Sequence, residues 1–420
     1  MLMTRYLAVY LMLAAGAVPA GNWPTFRGPQ RTGVSSETKL LKSWPEGGPP
    51  LVWKAEGLGR GYSSLAIFDG KIFTLGDGTT ADDPAEYLMA YEQATGKPVW
   101  KTKTGDAWND RKPDWQSSRS TPSTDGKLVY VITPYGTLVA CEFDTGKEVW
   151  RKDFKAEFDG KKGDSWGFSE SPLIDGDKLV CTPGGETATV IALNKTTGDV
   201  LWKAAQAGNR GAGHASIVIS EVGGQRVYVQ LTASGAIGIR AEDGVVLWTY
   251  GIDQTTAVCP TPIIKDDLVF IAAGYKRGGA LVRQVSKGDG KVDVEEVYPM
   301  KPELANKHGG VIRIGDYIYA DSDDGGLPYC AELLTGAVKW KARASGKNSA
   351  SVTAADGHLY IHFADGTMVL ANADPAAYKE VGSFQIPGTG ERPSWSHPVI
   401  FDGKLFLREN NSILCYNIHE

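Results

Sequence analysis

Three of the six histidines, His214, His308 and His397, together with Tyr62, Arg119 and Trp395, carry the functional groups with which this 420-residue chain could do chemistry. A guanidinium anchors an anion through charge-assisted hydrogen bonds, an indole offers a stacking wall, and an imidazole serves as acid, base or metal ligand near neutral pH. A metal held by His214, His308 and His397 is one arrangement these types allow, but no short ligand spacing joins them, and no metal is assigned. Glu170 and Asn348, with Arg60, Arg210, Lys307 and Arg392, belong to the same stretches of chain. No other catalytic signature is written here: GxSxG, HExxH, a phosphate loop and a dinucleotide fingerprint are all missing.

These residues lie far apart in the chain, and a repeat brings them into line. Trp53, Trp100, Trp150, Trp202, Trp248 and Trp340 are separated by 47, 50, 52, 46 and 92 residues, the last interval being two periods with one Trp lost. Five of them end a common text, as in Asp144-Thr145-Gly146-Lys147-Glu148-Val149-Trp150 and Leu334-Thr335-Gly336-Ala337-Val338-Lys339-Trp340. Each is a tight turn, with Gly supplying the positive φ, followed by a strand. A second turn signal falls midway, as in Asp69-Gly70-Lys71, Asp125-Gly126-Lys127 and Asp402-Gly403-Lys404, and it has eight copies. Each unit thus holds four short strands in about 46 residues, the pattern of a propeller blade.

The expected fold is all-β, an eight-bladed β-propeller. The chain ends on Cys415-Tyr416-Asn417-Ile418 one strand short, while Pro50-Leu51-Val52-Trp53-Lys54 is an outer strand lacking its three predecessors. An N-terminal strand therefore completes the last blade and removes an open seam. Outer strands of the fifth and seventh units are degenerate, near 294–297 and 381–384. The recurrent Trp is expected to pack at the outer blade interface.

Aligning the strands that enter the midway turns gives two columns. One, Ser64, Thr121, Ser171, Ser216, Thr261, Gly310, Ser351 and His397, is small because blades converge toward the axis. Two residues upstream, on the same face, stand Tyr62, Arg119, Ser169, His214, Cys259, His308, Ser349 and Trp395. This second column varies from blade to blade and lines one mouth of the channel. The predicted ligand-binding set is Tyr62, Arg119, Glu170, His214, His308, Asn348, Trp395 and His397, overhung by the loop 105–118 with Trp108 and Trp115 and by Trp166-Gly167-Phe168. The acidic stretches 77–86 and 321–325 invite a calcium reading, but the second departs from calcium-loop spacing, and both are read as solvated turns.

Residues 1–20, with Arg5, an apolar run 7–18 and Val18-Pro19-Ala20, form a secretory signal; 21–49 is an extended strap over the surface and 50–420 the propeller. Removing Arg5 leaves 43 basic against 49 acidic side chains, a net charge of −6, which with no basic run argues against nucleic acid. The five cysteines fall in different repeats and are expected as thiols. A monomer in the periplasm or outside the cell, without a membrane span after signal cleavage, is the expected state.

The Thr-Gly-x-x-x-Trp turn with its upstream Asp-Gly-Lys strand resembles the PQQ-like repeat, the blade of quinoprotein alcohol dehydrogenases and of BamB-type outer-membrane assembly factors. Asn22-Trp23-Pro24-Thr25-Phe26-Arg27-Gly28-Pro29 resembles the start of exported propellers of this kind. The resemblance implies either a binding scaffold for a protein partner or small ligand, which we expect, or an alcohol dehydrogenase using pyrroloquinoline quinone (PQQ) with calcium. The chain departs from the dehydrogenases in lacking their vicinal cysteine pair and offers only Glu170 and Asn348 as residues of the calcium-binding types; it departs from the assembly factor in lacking a lipid-attachment Cys near Gly21.

Overall fold

The computed structural model describes residues 21–78, 83–109, 115–252, 256–323, 325–389 and 392–420; the expected signal segment 1–20 lies outside them. Eight four-stranded antiparallel sheets build a ring, the blades spanning 66–106, 123–153, 173–204, 218–251, 263–301, 312–341, 350–385 and 399–417. In the eighth, Leu51–Glu56 pairs with Ser412–Asn417, setting Leu51 opposite Tyr416 and Trp53 opposite Cys415. That blade is closed by both ends of the chain, as the unmatched strands imply. All five cysteines are free thiols.

The Thr-Gly and Trp signals are two halves of one joint. Gly96, Gly146, Gly198 and Gly244 all have φ between 70° and 78°, and each lies beneath the Trp of the preceding blade. A methyl group on Gly96 would sit 2.5 Å from the Trp53 ring, so the turn needs Gly for conformation and for room. Trp100 and Trp150 also donate their indole N–H across the joint, to Phe143 O (3.2 Å) and Lys195 O (3.1 Å). The indoles are only half-buried in most blades, less than a core role would give, because they lie on the outermost strand with one face to solvent.

The missing Trp of the fifth blade is replaced in kind. Tyr298 sits over Gly336 and donates its hydroxyl to Leu333 O at 2.9 Å, the position that Trp100 and Trp150 address in their neighbours. Tyr298→Ala should therefore cost about 3 kcal/mol in urea unfolding, as other large-to-small core changes do, while Tyr298→Trp should cost less than about 1.5. Equal midpoints for Tyr298→Ala and wild type would refute the joint. In the seventh blade the Trp is lost because the eighth has no Thr-Gly turn to receive it; Phe384 packs there on Gly48 and Trp44.

The small column has a firmer reason than convergence alone. Ser64 N donates to Thr121 Oγ1 (3.0 Å), Thr121 N to Ser171 Oγ (3.1 Å) and Ser171 N to Ser216 Oγ (3.1 Å), while Ser64 Oγ donates to His397 O (2.7 Å). Hydroxyls stitch blade to blade in a girdle around the axis. Except for Ser351, these residues precede the innermost strands rather than lying in them.

Residues 21–49 are not confined to the surface. Backbone contacts of Trp23 with Ile67, Pro24 with Thr124 and Gly33 with Ala354 hold the segment on the face of the Asp-Gly turns. From there Arg27 and Arg31, 3% and 4% exposed, plug the axis. Arg31 donates to Ser171 O (3.0 Å), Ile217 O (3.1 Å) and Pro172 O, and Arg27 to Thr32 O (2.8 Å) and Val311 O, so carbonyls of three blades and of the segment itself hold the two guanidiniums, with Arg27 Nη1 and Arg31 Nε left unpartnered among the described residues.

Three carboxyls of the two acidic stretches are not solvated. Asp77, Glu86 and Asp321 are at most 1% exposed. Glu86 accepts from Ser118 (2.6 Å) and Thr104 (2.9 Å), and Asp321 accepts from Ala350 N (2.9 Å). Hydrogen bonding offsets the burial of Glu86, while Asp77 Oδ2 and Asp321 Oδ1 are buried without a partner among the described residues.

Candidate binding site at the channel mouth

Because the blades share one register, equivalent residues meet at one end of the axis. The mouth opposite the plug holds a pocket of about 170 Å³ lined by Tyr62, Arg119, His214, His308, Trp395 and His397, six of the eight predicted residues. Tyr62 and Trp395 pack at 4.8 Å between ring centroids, His308 lies 4.7 Å from Trp395, and the Arg119 guanidinium stands 5.2 Å over Tyr62. Trp115 and Trp166, from the two overhanging loops, stack on each other at 5.4 Å and both line the pocket; Trp108 is buried beneath Arg119.

Glu170 and Asn348 do not join the pocket. Glu170 follows Ser169 by one residue and so faces the other way, into the blade, where it accepts from Thr182 N (2.7 Å), Thr182 Oγ1 (3.0 Å) and Gln230 Nε2 (3.1 Å). Asn348 is exposed in a left-handed turn, φ 64°. Arg60 pairs with Asp77 at 3.2 Å, and Arg210 donates to Ile252 O. Arg392 caps Tyr62 from outside at 5.1 Å. Sequence reasoning missed Phe26, which reaches the pocket floor from the plug and meets His397 edge-on at 4.8 Å, and Tyr275, from the loop between two strands of the fifth blade.

Arg119 and Lys307 line a pocket that contains no carboxylate among the described residues. Burial, then Lys307, Arg119 and His214, push the His308 imidazole down to about 3; burial, then Arg27, brings His397 to about 3 as well. Burial and Lys162 lower His214 too. All three imidazoles are neutral at pH 7, so the positive character comes from Arg119 and Lys307 alone. The cup suits an anionic group attached to a flat apolar body.

The chemistry of PQQ with calcium finds no matching donors. Glu170 has spent its oxygens inside the blade and Asn348 lies outside the pocket. Cys259 is the one cysteine lining it, and among the described residues no three His, Cys, Asp or Glu side chains group as metal ligands.

Fold and mouth together define a repeat β-propeller whose eight blades surround a plugged axis. Residues 84–342, more than half the chain, match the family described as outer membrane protein assembly factor BamB, and the chain belongs to that family. It is 24% identical over 390 residues to the outer membrane protein assembly factor BamB of Shewanella oneidensis, spanning 80% of this chain and 92% of that one. Among solved structures it resembles BamB from Moraxella catarrhalis (TM-score 0.58, 15% identity, 84% of this chain and 94% of that) and a europium-containing methanol dehydrogenase (TM-score 0.65, 13% identity, 92% and 89%). At these identities the structural likeness speaks for the fold.

Proposed function

We propose that the protein is a periplasmic scaffold, acting as a monomer and without nucleic acid, that grips a segment of a partner protein in outer-membrane assembly through the mouth of its channel. One observation carries this reading: a repeat ring that is uniform at its turns breaks its symmetry in the cationic, aromatic cup formed by Arg119, Lys307, Trp115, Trp166 and Trp395. Aromatic and arginine anchors in a concave site are the usual source of binding energy. The family's name gives the setting, and no helix among the described residues is long and apolar enough to cross a membrane.

The test is a photo-reactive amino acid placed at Trp166 in cells of the source organism. It should capture one envelope protein that the same group at Asp177, on the Asp-Gly face, does not. Arg119→Ala combined with His308→Ala should reduce that capture at least tenfold while shifting Tm by less than about 3 °C. Equal capture from both faces, or undiminished capture by the double variant, would remove the mouth from consideration.

A further inference from the structure

Ser169 differs from the hydroxyls that only stitch the blades together. Ser120 and Ser351 donate to backbone carbonyls, Glu170 O and Ser396 O. Ser169 Oγ instead contacts Nδ1 of His214, whose Nε2 lies 2.8 Å from Asp164 Oδ2. Ser169 and His214 line the pocket, and Asp164 stands behind the imidazole with its side chain 9% exposed. From these contacts we infer that Ser169, His214 and Asp164 form a nucleophile, base and orienting acid that cleave carboxylic esters bearing a flat aromatic group.

The protonation pattern agrees with those roles. Burial works to raise the Asp164 carboxyl, but the attraction and then the hydrogen bond of His214, and after them the Lys162 ammonium at 3.9 Å, outweigh it and keep Asp164 ionised. An ionised Asp164 accepts Nε2–H, which leaves Nδ1 with its lone pair toward the Ser169 hydroxyl. The ring nitrogens are used in the reverse of their usual order in serine hydrolases, but either can serve as the base. His214 is neutral at pH 7, as a base must be. A second pair in the same column, Ser349 with His308 Nε2 at 3.0 Å, has no carboxylate on its imidazole among the described residues.

The reaction balances within these groups and water. Ser169 Oγ bonds to the ester carbonyl carbon as its proton passes to Nδ1 of His214. Collapse breaks the carbon–oxygen bond of the ester, and His214 returns the proton to the departing alcohol. Water then attacks the acyl group on Ser169, giving its proton through His214 back to Oγ and releasing the acid. Arg119, which lines the pocket with Ser169 and His214, supplies the positive potential for the oxyanion. Trp166 and Trp395 form the flat walls that select an aromatic group.

The test uses the purified chain with a fluorophosphonate, which phosphonylates an activated serine, and p-nitrophenyl acetate. Mass spectrometry should find the phosphonyl group on Ser169, with none on the chain in Ser169→Ala and full labelling retained in Ser165→Ala. Hydrolysis by Ser169→Ala or His214→Ala should fall at least about 100-fold in kcat, the scale of positioned acid–base help. Asp164→Asn, which removes the positioning group, should lower kcat with KM unchanged. Wild-type protein that takes no label, or hydrolysis that persists undiminished in Ser169→Ala, would overturn the proposal. Neither outcome bears on capture of a partner by the mouth, so the two readings fail separately.

Discussion

A chain beginning at residue 58 is expected to lose its cooperative fold. Leu51–Glu56 is, among the described residues, the strand that pairs with the outer edge of Ser412–Asn417, and without it that edge presents unpaired N–H and C=O groups. Trp53 goes with it, and so does the joint over Gly96 that binds the eighth blade to the first. Loss of the plug leaves the carbonyls of Ser171, Ile217 and Val311 buried without the guanidiniums that satisfy them. The interface Trp alone is worth about 3 kcal/mol, and each orphaned carbonyl about 1 to 3 more, so the sum approaches the whole stability of an ordinary domain. Circular dichroism and urea titration of the truncated chain should show no sharp transition, with Trp53→Ala intermediate. A truncated chain melting like the full one would mean the ring is held elsewhere.

Stability should fall as pH rises from about 6.5 to 8.5, and Glu86→Gln should blunt the fall. Burial raises Glu86, Glu170 and Asp321 to about 8 and Asp77 to about 6. A carboxyl whose folded value is raised lends stability that is complete below its unfolded value and vanishes as pH climbs through the folded one. The imidazoles run the other way: His308 and His397, lowered to about 3, favour the fold above pH 6.5 and cost stability below it. The two sets oppose each other between about 4.5 and 6.5, and only the carboxyls act above. Each contributes at most ~1.4 kcal/mol per pH unit there. Glu86→Gln keeps the contacts to Ser118 and Thr104 but cannot ionise, so one proton's share of the slope should disappear. A Tm that is flat from pH 6.5 to 8.5 would show that water reaches these carboxyls.

What could be read from the sequence was whatever the repeat enforces. The spacing of Trp53 to Trp340 set the period, the eight midway turns counted the blades, and the unmatched strand at Trp53 located the closure, because every copy must pair in one register. Tyr62, Arg119, His214, His308, Trp395 and His397 were found the same way, by equivalence. Glu170 and Asn348 were chosen for chemical type, one position out of step with their column, and a shift of one turns a side chain to the other face. Phe26, Arg27 and Arg31 lie in a segment without a repeat, so nothing in the text sets them in the axis. Asp164 was invisible for a related reason: it sits in an irregular loop and gains its role from His214 of the next blade. Charge runs misled at Asp77, Glu86 and Asp321, since composition cannot tell a hydrogen-bonded carboxyl inside a blade from a hydrated one.

Arg27 and Arg31 turn a ring into a blind well. An annulus open at both ends could let a strand of polymer thread through it or could pass a solute from one side to the other. With the far end filled by Arg27 and Arg31, the described residues leave no through passage, and a molecule entering past Trp115 and Trp166 would leave by the same door. Any occupants of the proposed site would therefore compete for one opening, the dwell time of one setting the waiting time of the next.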